Sequence, residues 1–349
     1  MKVHKCIFQR VASLENLFLA WEEFRKGKSS RKDVQEFEWK LEQNIFALYR
    51  DLQSRQYKHG EYTAFSICDP KQRRIHKASV RDRVLHHAVF KILNPLFEPT
   101  FISHSFSCRE GKGTHKAVDA LEGWLRKTSK NYTAQCFALK CDIHQFFTSV
   151  DHEVLLSILA RVIKDDDALW LLKEIVGSFH TQEDADNELK GIPIGNLTSQ
   201  LFANIYMNEF DQFMKQGFRE KQYIRYTDDF LIVSADRSKL ERLLPYMKEF
   251  LEDELRLSLH PRKIILRKFS QGIDFLGYVV LPHHRTLRTR TKHRMFRKLK
   301  LRVKNYKTDA GSESSVESSL QSYLGVLSHA NTHWLTEQLQ NQYWFWMKE

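Results

Sequence analysis

Cysteine is scarce in this sequence. There are five among 349 residues, and none of them (Cys6, Cys68, Cys108, Cys136, Cys141) stands in a CxxC pair. An odd count at irregular spacing argues against a disulfide framework and against a zinc site, and it fits a reducing compartment. No hydrophobic run approaches the roughly 20 residues needed to cross a bilayer. The opening stretch "MKVHKCIFQRVASLENLF" lacks the unbroken apolar segment of a secretion signal. The expectation is a cytoplasmic protein that does not engage membranes. Seven prolines and thirteen glycines leave no internal repeat and no long low-complexity tract. Only "TDAGSESSVESS", 308–319, reads as a linker. Acidic residues are missing altogether from 285–307, where 11 of 23 residues are Lys or Arg.

What is present points to a polyanionic partner. Hydrophobic residues make up 42% of the chain, enough for a sizeable core. The formal net charge is +12 and the pI about 9.3, which favours nucleic acid over a membrane surface. Apolar residues recur at helical spacing over 12–56. They recur again in "VRDRVLHHAVFKILNPL", which Pro95 is expected to end. Residues 135–147 read as a strand running into a turn, 197–213 and 239–257 as helices, 222–234 as strand, tight turn and strand, and 273–281 as further strand. Residues 285–349 read as a basic helical end. Strands and helices alternate without a strict βαβ rhythm, so the expected class is α+β.

The stretch "QYIRYTDDFLIVS" sets Asp228 beside Asp229 between two apolar runs. Adjacent carboxylates at the tip of a buried hairpin need compensation, because unpaired charge in low dielectric is costly. Oxygen ligands of this kind suit magnesium. Asp142 ends the apolar strand "QCFALKCD" in a similar setting. Acidic strand ends brought together in one sheet make a two-metal site for phosphoryl transfer. "GKGTH", 111–115, lacks the spacing of a phosphate loop, and the pairs His329/His333, His86/His87 and His283/His284 lack a third ligand.

At these residues the chain resembles a known family. "YTDD", 226–229, is similar to the YxDD motif of reverse transcriptases, and "DIHQFFTSVDH", 142–152, to their first catalytic motif. "FLGY", 275–278, resembles the primer-grip hairpin. "RRIHKASVRDRVLHHAV" and "SFSCREGKGTHKAV" resemble fingers segments of enzymes like those of bacterial group II introns. The likeness covers roughly residues 60–340. It implies a right-hand polymerase fold: an N-terminal helical extension over 1–60, fingers over 61–134, a palm over 135–284 and a basic helical thumb over 285–349. The loop "IGNLTSQ", 194–200, stands where most members have Gln-Gly, and it is similar to the loop of diversity-generating retroelement enzymes. That likeness implies a bacterial or phage-encoded enzyme, adenine-directed infidelity, a structured template RNA and a small basic accessory protein. Two other readings stay open: an antiphage-defence enzyme copying its own noncoding RNA, and a non-catalytic RNA-binding scaffold. No endonuclease, RNase H or integrase segment is recognisable.

The resemblance also implies roles. Asp142, Asp228 and Asp229, with the backbone carbonyl of Ile143, would hold two Mg2+ ions, with Mn2+ as a substitute. Lys263 would act as a general acid toward departing pyrophosphate. Lys71, Arg73 and Arg81 would grip the triphosphate of an incoming dNTP. Phe147 would exclude the ribose 2′-hydroxyl. Gly195 would let backbone approach the nascent base pair, Gln200 would line the same nucleotide site, and Ile194 would forgo a discriminating hydrogen bond. Arg288, Arg290, Lys292, Arg294, Arg297 and Lys298 would line a phosphate rail for the RNA/cDNA duplex.

Overall fold

The structure is a computed structural model and describes all residues except 1–2, 69–71 and 182–188. Four helices open the chain: α1 (Ile7–Val11), α2 (Leu14–Arg25), α3 (Lys32–Trp39) and α4 (Leu41–Gln53). Two paired strands follow, β1 (Thr63–Cys68) and β2 (Gln72–Lys77), then α5 (Val80–Phe97) and α6 (Thr114–Thr128). The central strand β3 (Phe137–Asp142) leads into α7 (Phe146–Ser149), α8 (His152–Val162), α9 (Asp166–Gly177) and α10 (Leu197–Gln212). Next come β4 (Tyr223–Tyr226), β5 (Asp229–Ser234), α11 (Arg237–Asp253) and β6 (Ile265–Lys268). The end of the chain holds β7 (Ile273–Phe275), β8 (Tyr278–Leu281), β9 (His284–Leu287), α12 (Thr289–Lys307), α13 (Glu313–Leu327) and α14 (His333–Lys348).

The central sheet has the order β4-β5-β3-β6 and is antiparallel throughout. Its strands read as unbroken apolar runs because both faces are covered. Leu139, Cys141, Phe230 and Ile232 enter a core shared with α8, α10 and α11. Ala138, Ile224, Leu231 and Val233 enter a second core with α6, β7, β8 and the C-terminal helices. Each fully buried Leu, Ile, Val or Phe among them contributes about 1.5–3 kcal/mol, so the register of β3 against β5 is strongly specified. Side-chain caps fix several helix starts. Ser79 accepts from the Asp82 amide at 3.1 Å and Asp151 from the Val154 amide at 3.0 Å.

Three expectations need correction. Pro95 does not end its helix, because α5 runs on to Phe97 before a 3-10 turn takes over. A proline this near the C-terminus removes a bond only from the last turns. The supposed linker is mostly helix, since Ser312 caps α13 and only 308–312 stays outside regular helix. The basic end does not begin as helix: β9 pairs with β8, making a three-stranded sheet of what reads as a simple strand pair. Among the described residues no helix is long and apolar enough to cross a membrane.

Candidate active site

Asp142 ends β3 and Asp229 begins β5, and the antiparallel register sets them directly opposite each other. Tyr226 pairs with Asp229, so Thr227 and Asp228 form the two-residue turn joining β4 to β5. The Ile143 amide donates to the Asp228 carbonyl at 3.2 Å, which draws the chain after β3 against that turn. The segment 258–260 braces the other side. His260 donates its amide to the Asp142 carbonyl at 2.8 Å, and His144 donates to the Ser258 carbonyl at 2.8 Å.

The site is electrostatically strained. Burial, then the charge of Asp142, pushes the Asp228 carboxyl up to about 6. Burial also raises the Asp229 carboxyl, against the opposing pull of Lys140. Lys140 Nζ lies 3.4 Å from Asp229 Oδ2 and donates to the Asp274 carbonyl at 3.3 Å. Lys263 Nζ pairs with Asp142 Oδ1. These two lysines hold the outer carboxylates. Among the described residues, no three His, Cys, Asp or Glu side chains stand ready-made as a cation site.

The donors nevertheless fit a hard cation. Asp229 Oδ1 is buried with no hydrogen-bond partner, a costly state for a carboxylate oxygen. All the donors at this sheet end are oxygens, as magnesium prefers, and magnesium draws the rest of its shell from water and substrate phosphates.

The turn itself stands on a buried arginine. Arg225 is fully buried and forks onto Asp211, with Nε 2.8 Å from Oδ1 and Nη2 2.7 Å from Oδ2. Its Nη1 donates to the Thr227 carbonyl at 3.0 Å and Nη2 to Ser105 Oγ at 3.0 Å. Tyr223 donates to Asp211 Oδ1 at 2.7 Å. Breaking such a buried pair from one side costs about 3–5 kcal/mol. Neither Arg225 nor Lys140 is singled out by sequence reasoning. The available signal was a cation inside an otherwise apolar strand, in "YIRY" and "FALK".

The other candidate residues lie as follows. Phe147 is half-buried, packs edge-on against Phe146 at 5.4 Å, and accepts the Ile192 amide on its carbonyl at 2.7 Å. The loop carrying Ile194 and Gly195 is thus tied at one end to α7, the short helix that follows β3. At the other it is tied to β2, where the His76 amide donates to the Ile194 carbonyl at 3.1 Å. Gly195 has φ +116°, and a Cβ there would lie 2.8 Å from Ile75 Cγ2. The close approach that requires glycine is therefore to β2. Gly195 and Gln200 share a cavity of about 290 Å³ with Lys28, Arg31, Lys77 and Arg83, four cations the sequence reading does not assign to the site.

Arg73 is exposed on β2, while Lys71 lies outside the described residues. Arg81 already has partners in the scaffold. It pairs with Asp51 at 2.6 Å and stacks over the Tyr57 ring, a scaffold contact between α4 and α5. Arg288, at the start of α12, is likewise paired, with Asp274. Arg290 and Arg297 are exposed on α12, Arg294 and Lys298 are half-buried there, and Lys292 sits over the Trp334 ring at 5.4 Å.

Comparison with known proteins agrees with this geometry. The family described as reverse transcriptase (RNA-dependent DNA polymerase) matches residues 58–280. Protein YkfC of Escherichia coli K12 is 25% identical over 248 residues, covering 62% of this chain and 63% of that protein. The group II intron-encoded protein LtrA of Lactococcus lactis is 23% identical over 262 residues, covering 56% of this chain and 42% of LtrA. The chain thus spans less than two thirds of the length of these curated relatives. A solved structure of telomerase from Candida albicans, in complex with a TWJ fragment of telomeric RNA, superposes with a TM-score of 0.50 at 12% identity. It covers 83% of this chain and 55% of that one. At that identity the likeness is one of fold, and the fold is a polymerase right hand.

Proposed function

Because this chain belongs to the reverse transcriptase family, we propose that it copies an RNA template into DNA, joining deoxynucleotides to a primer 3′-hydroxyl with release of pyrophosphate. The observation that carries this reading is the register placing Asp142 opposite Asp229, with Asp228 on the turn between β4 and β5. Asp142, Asp228 and Asp229, with the Ile143 carbonyl, would hold paired Mg2+ ions. Bound there, such ions lower the cost of ionising the attacking hydroxyl and neutralise the departing phosphate oxygens. Mn2+ has the same ligand preference and substitutes.

The chain's own residues do the rest. Lys263 leaves Asp142 for the leaving pyrophosphate, to which it gives a proton. Lys140, 3.4 Å from Asp229, opposes the upward push that burial gives that carboxyl. The half-buried ring of Phe147 fills the space a ribose 2′-hydroxyl needs, which selects dNTPs. Arg73 reaches the triphosphate from β2, with Lys71 beside it in sequence. The cations of α12 bind the phosphates of the template–primer duplex, an interaction weakened by salt.

Within the family, the loop 194–200 favours a diversity-generating retroelement enzyme, encoded in a bacterium or phage and working with a structured template RNA and a small basic accessory protein. Ile194 has no side-chain hydrogen bond to offer near the incoming nucleotide, and a missing polar contact weakens discrimination. Primer extension on a defined RNA, followed by sequencing of the cDNA, tests both levels. Template-dependent extension that vanishes in Asp228→Asn supports the polymerase. Errors concentrated at template adenines, and reduced in Ile194→Gln, support the subtype. Faithful cDNA from both proteins removes the subtype.

A further inference from the structure

The turn bearing Asp228 adopts a backbone conformation its sequence disfavours. Thr227 has φ +57°, a region that a β-branched residue enters only against steric resistance and that Asn or Gly occupies readily. Something outside the turn must hold it there. Two contacts do: Arg225 Nη1 holds the Thr227 carbonyl at 3.0 Å, and a second bond holds its side chain. The Thr227 hydroxyl donates to Ser107 Oγ at 2.6 Å, a bond between residues 120 positions apart. Ser107 is buried, and its carbonyl accepts from Asn204 Nδ2 at 2.9 Å, which anchors it to α10. The backbone on either side of Ser105 runs beside β4: the Arg225 amide donates to the His104 carbonyl, and the Phe106 amide to the Arg225 carbonyl, each at 3.0 Å. The segment 104–107 therefore acts as an extra edge to the catalytic hairpin, with Thr227–Ser107 its contact nearest the acids.

We propose that Thr227 is a positioning residue. Its hydroxyl, moored on Ser107, sets where the next residue, Asp228, presents its carboxylate to the divalent cation. The proposal rests on the reverse transcriptase reading for the identity of the reaction, but its content concerns cation binding and can be read without turnover. Valine keeps the shape and β-branching of Thr227 and removes only the hydroxyl. Serine keeps the hydroxyl. Ser107→Ala removes the mooring without touching the strained residue.

The experiment measures Mn2+ binding to the full chain by calorimetry, alongside thermal melting in EDTA and the Mg2+ dependence of primer extension. Thr227→Val and Ser107→Ala are expected to weaken Mn2+ binding about tenfold, the equivalent of ~1.4 kcal/mol, and to raise half-saturating Mg2+ similarly. Thr227→Ser should stay within about twofold, as expected when one buried hydrogen bond is retained. Mn2+ binding unchanged in Ser107→Ala, or equally weakened in Thr227→Val and Thr227→Ser, overturns the proposal. If no protein extends a primer, the polymerase reading fails, and the Mn2+ comparison still decides the role of Thr227.

Discussion

Lys263 and Asp142 form an ion pair at the mouth of the candidate active site, between the turn preceding β6 and the last residue of β3. The same carboxylate faces Asp229 across the sheet. A single ammonium thus occupies an oxygen that a metal ion would need, so metal and lysine compete for Asp142. Removing the lysine charge should therefore separate affinity from turnover. Lys263→Met is expected to bind Mg2+ about tenfold more tightly, roughly 1.4 kcal/mol, in line with a lost charge-assisted bond. It should also lower the rate of nucleotide addition at saturating metal. Calorimetry and single-turnover kinetics on the same preparation check both halves.

Repulsion at the acidic cluster makes a second prediction, about stability. Burial and Asp142 raise the Asp228 carboxyl to about 6, so its charge destabilises the metal-free fold at neutral pH. Asp228→Asn keeps the shape and removes that charge. In EDTA it should melt higher than the unsubstituted protein, and Mg2+ should no longer raise its melting temperature appreciably. Scanning calorimetry with and without Mg2+ reads the difference.

The same shift fixes a pH dependence. Between its ordinary value of 3.8 and about 6, Asp228 holds more proton in the folded chain than in the unfolded one. The metal-free fold should therefore lose stability as pH rises through that window. Metal binding runs the other way, because the cation requires the ionised carboxylate. The Mg2+-induced rise in melting temperature should be small near pH 5 and fully developed by about pH 8. A rise of equal size at both ends would mean that Asp228 takes no part in holding the metal.

Phe147 supplies a prediction about sugar choice. Its ring is half-buried against Phe146 beside the loop of 191–196. Phe147→Val should let ribonucleotides in, raising their incorporation relative to dNTPs by one or more orders of magnitude while leaving the melting temperature within a few degrees. Competitive single-nucleotide insertion is the measurement.

How legible these features are in the sequence depends on how local their causes are. The facing of Asp142 and Asp229 follows from two apolar strands that each break at an acid, a pattern any reader can find. The hairpin of 222–234 and the helix beginning at Leu197 follow from equally local signals. Arg225 is harder. Nothing beside it in sequence announces that Asp211 and Ser105, 14 and 120 residues away, will neutralise and hold it. Arg81 and Arg288 show the same limit, since a basic run does not say which of its members pairs with an acid in three dimensions. Gly195 shows a subtler limit: the sequence marks a crowded point, and only the structure shows that Ile75 does the crowding.

The proposal stands or falls with the sheet end formed by Asp142, Asp228 and Asp229 as a nucleotidyl-transfer centre reading RNA. Its most direct test is single-turnover addition of one labelled dNTP to a DNA primer annealed to RNA, comparing the unsubstituted protein with Asp228→Asn under Mg2+. Templated addition is expected from the former and a loss of at least about a thousandfold from the latter, in line with removing a cation ligand at the reacting phosphate. Equal addition by the two proteins would contradict it.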